Sequence, residues 1–117
     1  MSVSGRIRRA ILPLVPVCVP DLYRPKPGQP PETEYCTFQY DEFPDLFADD
    51  APGMIQYLIQ LHWFLPAGRD PVAKKKQLRR ALAEAGFTYP EVVNASGEDG
   101  QHYVFECRCT EGAEEDG

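Results

Sequence analysis

No apolar stretch in this sequence approaches the roughly 18 residues that a bilayer-spanning helix needs, so no membrane span is expected. Bases are the minority charge, 12 Lys and Arg against 18 Asp and Glu, and the net charge of −6 speaks against a surface that wraps nucleic acid. Histidine occurs only as His62 and His102, and neither stands near a Cys or carboxylate at a recognised ligand spacing. P-loop, dinucleotide fingerprint, Ser-His-Asp grouping and metalloprotease motif are all missing, so neither an enzyme nor a cofactor is expected. Arg6, Arg8 and Arg9 give the N-terminus the charge of a signal peptide. However, Pro13, Pro16 and Pro20 break the apolar segment behind them, and no convincing cleavage site follows. The expectation is a cytoplasmic protein whose four cysteines, Cys18, Cys36, Cys107 and Cys109, are reduced.

What is present centres on residues 53–87. Met54 to Leu65 is twelve residues without Gly or Pro, and Ile55, Tyr57, Ile59, Leu61, Trp63 and Leu65 fall on every second position. On a pleated strand these six share one face, and burying them is the main reason to fold. Met54, Gln56, Leu58, Gln60, His62 and Phe64 make the other face, which is mixed rather than polar. Pro66-Ala67-Gly68 ends the strand, and the period then changes from 2 to 3.6. Asp70 suits an N-cap, Pro71 a first helical position and Gly86 the left-handed residue past the end, with Leu78, Ala81, Leu82 and Ala85 on one stripe.

Around that unit the chain reads as one α+β domain over 1–110. Ser2 or Ser4 caps a first helix with Ile7, Ala10, Ile11 and Leu14 on one stripe. The segment 16–31 holds six of the twelve prolines and should be extended and stiff, with part of it lying against the body. Glu34 to Phe43 alternates with Cys36, Phe38 and Tyr40 inside, and an acidic connection, 44–52, follows. Phe87 to Val93 reads as a brief strand interrupted by Pro90. Gln101 to Thr110 reads as a strand with Tyr103, Phe105, Cys107 and Cys109 inside. Residues 111–117 are acidic and expected to be disordered. The order α-β-β-α-β-β predicts an antiparallel sheet of about four strands with two helices packed on one face.

Candidate functional residues are of two kinds. Lys74, Lys75, Lys76, Arg79 and Arg80, with Arg69, form a basic surface that could be a solvated helix face or could meet phosphate or an acidic partner. Leu58 and Phe64, with Val104 on the last strand, lie opposite the core stripe, where two helices cannot also reach. An uncovered apolar patch usually marks an interface. Acidic Asp45, Asp49 and Asp50 would be available to the basic helix of a neighbouring copy. His62 and His102 read as half-exposed sheet residues. Cys107 and Cys109 point the same way, and a zinc site there would need two more ligands, with Cys36 the one candidate if its strand were adjacent; small buried apolar residues are the preferred reading.

The succession of a short helix, Pro20-Asp21-Leu22-Tyr23, the strand Glu34-Tyr35-Cys36-Thr37-Phe38, an acidic loop and the strand 55–62 is familiar. So are the helix end Leu82-Ala83-Glu84-Ala85-Gly86-Phe87 and a last strand His102-Tyr103-Val104-Phe105-Glu106-Cys107. It resembles the tail terminator, or tail completion, proteins of long-tailed bacteriophages and their prophage remnants, over roughly Ser4 to Thr110. The resemblance rests on element order rather than on an invariant motif, and the long Pro-rich stretch and the basic helix depart from it. It implies a homo-hexameric ring that caps the tail tube, with the major tail protein and the head-side connector as partners. It also implies DNA passing through without sequence-specific binding, no catalytic residues, and residence in the host cytoplasm during assembly and then in the virion tail. A head–tail joining protein of another kind would look similar. The alternative from a different class is a small cytoplasmic binding module that holds an anionic ligand or acidic protein over 74–80.

Overall fold

The computed structural model describes residues 2–24, 27–28, 34–44, 54–98 and 100–112. The elements in chain order are α1 (Val3–Ile11), β1 (Cys18–Pro20), β2 (Tyr35–Pro44), β3 (Met54–Leu65), α2 (Val72–Glu84), β4 (Glu91–Asn94) and β5 (Gln101–Gly112). They build an α+β fold with one five-stranded sheet in the order β1-β2-β3-β5-β4.

The sheet differs from the expected four antiparallel strands by one. β1 lies in the Pro-rich segment and pairs parallel to β2, with Cys18 opposite Cys36. Three residues ending in Pro20 make a short outer strand, which is where a residue without an N–H is tolerated. Pairings β2–β3, β3–β5 and β4–β5 are all antiparallel. The order is therefore α-β-β-β-α-β-β. β5 also continues through Glu111 and Gly112, two residues into the stretch read as a tail. Residues 113–117, for which disorder was expected, lie outside the described residues.

The alternation in β3 is followed faithfully: Tyr57, Ile59, Leu61, Trp63 and Leu65 are buried, and the residues between them are not. With Cys36 and Phe38 from β2, and Tyr103, Phe105, Cys107 and Cys109 from β5, they form one face of the sheet. Val3, Ile7 and Ile11 of α1, Val15, and Leu78 and Leu82 of α2 complete a single core with them. Each large aliphatic side chain so buried is worth about 1.5–3 kcal/mol.

Local chemistry sets the helix ends. The Ser2 hydroxyl accepts from the Gly5 N–H at 3.0 Å and caps α1. At the start of α2 the N-cap is Pro71, one residue later than expected; Asp70 still contributes, its Oδ1 accepting from Val72 N–H at 3.1 Å. At the end, Gly86 N–H bonds the Ala83 carbonyl and Phe87 N–H bonds the Leu82 carbonyl, with Gly86 at φ 99°. That is a Schellman close, and buried Phe87 and Leu82 supply its apolar contact.

Candidate interaction surfaces

Both helices lie on the core face, so among the described residues no helix covers the other side of the sheet. The register arranges that open face in rows. Tyr35, Phe64 and His102 form one row, and Thr37, His62, Val104 and Val93 the next. Gln39, Gln60 and Glu106 follow, then Asp41, Leu58 and Arg108.

The first row is aromatic throughout. Tyr35 and Phe64 stack at 4.7 Å between centroids, Phe64 and His102 at 4.2 Å, and Tyr23 folds over to meet Tyr35 at 4.9 Å. Diagonally across this row, His62 Nδ1 and His102 Nε2 share a hydrogen bond of 2.8 Å, one ring donating and the other accepting. Partial burial holds both imidazoles below their usual pKa, and for His102 the charge that His62 would carry adds to the effect. The third row is a polar ladder: Gln39 Nε2 donates to Gln60 Oε1 at 3.1 Å, and Gln60 Nε2 to Glu106 Oε2 at 3.4 Å.

Leu58, Phe64 and Val104 do sit on this open face, each half-buried. They do not form one continuous patch. Phe64 and Val104 belong to the aromatic and β-branched end, which exposed Val93 extends, whereas Leu58 lies between Asp41 and Arg108 with exposed Phe43 in the next row. Asp45, Asp49 and Asp50, expected to face a neighbour's basic helix, lie outside the described residues.

The basic helix is less free than its sequence suggests. Lys74 Nζ donates to both carboxylate oxygens of Glu34, at 3.1 and 3.2 Å, and Glu34 Oε2 also accepts from Trp63 Nε1–H at 2.7 Å. Lys75 Nζ lies 4.7 Å from the Tyr103 ring centre, and the Arg79 guanidinium lies 5.5 Å from that of Tyr89. Arg69, Lys76 and Arg80 remain exposed, and on α1 so do Arg8 and Arg9. Arg6, by contrast, turns inward. It pairs with Glu111, donates to the Ala85 carbonyl at 2.8 Å and stands 4.6 Å from the Phe87 ring centre. The α1–α2 seam beside it is a groove of about 340 Å³ with Ala10, Ala81 and Ala85 in its floor and Arg9 and Glu84 at its edge.

Comparison with protein-family models finds no match. Comparison with curated proteins finds none either.

Cys36 is not beside Cys107 and Cys109, because β3 separates β2 from β5. Among the described residues no three His, Cys, Asp or Glu side chains converge to hold an ion. All four thiols are buried and outside any disulfide, and burial raises those of Cys18 and Cys107 to about 12. Among the described residues no helix is long and apolar enough to cross a membrane. The His62–His102 pair and the Glu34–Lys74–Trp63 cluster were not visible in the sequence, since each joins residues at least 29 positions apart.

Proposed function

We propose that this chain is a structural subunit that assembles with its own copies into a closed ring, in the manner of the phage tail terminators its sequence resembles. In that role it caps a tail tube and docks a head-side connector, with DNA passing through the ring. The observation that carries this reading is the open sheet face, where Phe64, Val104, Val93 and Leu58 spend apolar area on water in a lone subunit. Closed rings repeat one joint at every subunit, so a modest apolar gain at each is multiplied. The chain's contribution is geometry, and no residue is assigned a catalytic role.

The competing reading is an anionic-ligand module over 74–80. It draws on fewer available charges, because Lys74 is held by Glu34 while Lys75 and Arg79 lie over aromatic rings. Substitution separates the two. Leu58→Asp or Phe64→Asp should leave the fold intact by circular dichroism yet abolish the assembly seen by sedimentation, without changing phosphate affinity. Both variants sedimenting as the wild-type oligomer would overturn the assignment of this face.

A further inference from the structure

Among the described residues, the two outer surfaces of the subunit differ in the sign of their exposed charge. On the open sheet face the exposed charges are Asp41, Glu91 and Glu106 against a single Arg108. Among the described residues of the helical side, Arg8, Arg9, Lys76 and Arg80 are exposed on the two helices against Glu84, with Glu42 on β2 and the pair Arg69 and Asp70 before α2 at the margins. A symmetric sheet-to-sheet dimer would set acid against acid, whereas a head-to-tail contact sets acid against base.

The details match as well as the signs. Asp41, Leu58 and Arg108 make a row that reads acid, apolar, base across three strands. The groove between α1 and α2 has Arg9 and the inward-turned Arg6 on the α1 side, Ala10, Ala81 and Ala85 between, and Glu84 on the α2 side. Two strand spacings give the row a width of about 10 Å, and packed helices lie about 8–10 Å apart. The groove, at about 340 Å³, has room for a branched aliphatic side chain. With its long strands of ten and twelve residues, the sheet offers roughly 600 Å² in projection before side-chain relief is added. Standard interfaces bury about 800 Å² per partner, so the face is of suitable size.

We infer that the open sheet face of one copy docks on the helical face of the next, Leu58 entering the α1–α2 groove with Asp41 meeting Arg9 and Arg108 meeting Glu84. The inference rests on the self-assembly proposed above and specifies which surfaces meet. It makes each subunit polar, with one donor face and one acceptor face.

Four variants test it by sedimentation: Leu58→Asp alters the sheet face, Arg9→Glu/Ala81→Glu alters the groove, Asp41→Arg reverses one charge, and Asp41→Arg/Arg9→Asp exchanges the charge pair. Each of the first two alone should be monomeric. Mixed one to one they should form a species of twice the monomer mass and nothing larger, because each supplies the face the other lacks; that product also shows both to be folded. The charge exchange should recover self-assembly that Asp41→Arg alone loses. A groove variant that still assembles as wild type while Leu58→Asp does not would overturn the sheet-on-helix joint and leave self-assembly standing. A mixture that stays monomeric would overturn the joint too, and a wild-type chain monomeric at every concentration would overturn both proposals.

Discussion

Replacing Arg6 with Met removes one charge from three contacts at once. Arg6 pairs with Glu111, whose side chain is only 8% exposed, and donates to the Ala85 carbonyl at the end of α2. Its own side chain is 21% exposed, so the pair is largely shielded from water. Glu111 Oε2 has no hydrogen-bond partner among the described residues, so Arg6 is the group that compensates this carboxylate. Removing one partner of such a pair leaves an uncompensated buried charge, and the usual cost is about 3–5 kcal/mol. The loss should shrink when the stranded charge is removed too: Arg6→Met/Glu111→Leu should be well above Arg6→Met in stability, with a coupling energy of about 1–3 kcal/mol. Urea unfolding of the wild type, both single variants and the double variant closes the cycle. An Arg6→Met cost under about 1 kcal/mol, or additive losses, would refute the idea that this contact ties α1 to the end of β5.

Trp63→Ala should cost about 3–5 kcal/mol, because its ring is 1% exposed and packs on Tyr103 and Phe105; a wild-type-like melt would mean that the strand face is inverted. Thiol titration of freshly purified protein in denaturant without reductant should count four, whereas zero or two would contradict the buried, unbridged cysteines. His62 and His102 have depressed pKa values in the fold, so the unfolded chain binds more protons near and below 6.5. Stability is therefore full above about 6.5 and falls as pH drops through the folded values. His102→Gln should flatten the dependence of the urea midpoint on pH between 7.5 and 5, measured where the chain is monomeric. An unchanged slope would assign it to other groups.

The strand faces were legible because each long strand alternates strictly and carries its largest side chains on one side. Trp63, Leu61 and Ile59 could be assigned to a core with Phe105 and Leu82 from spacing alone. β1 was not legible. A three-residue strand among prolines has no periodicity, and its parallel partner is supplied by the sheet rather than by local preference. The helix Val72–Glu84 was placed to within a residue or two because Asp70, Pro71 and Gly86 mark its ends by different mechanisms.

The candidate surfaces were legible only in part. That Leu58 and Phe64 face away from the core follows from parity, but their separation by the Gln60 and His62 rows depends on which residues of β2 and β5 lie opposite. The bases of α2 looked like one uniform surface. Tertiary packing divides them, since Glu34 reaches Lys74 from before β2 and aromatic rings from β5 and the β4 approach lie under Lys75 and Arg79. The inward turn of Arg6 was hidden for the same reason: Glu111 lies 105 positions away along the chain.

Self-assembly through the open sheet face is tested most directly by absolute mass. Light scattering of the wild-type chain across a concentration series should show a rise from the 13.2 kDa monomer toward a closed species of about six-fold mass, and Leu58→Asp should hold the monomer value throughout. A wild-type mass of 13.2 kDa at every concentration would contradict the account.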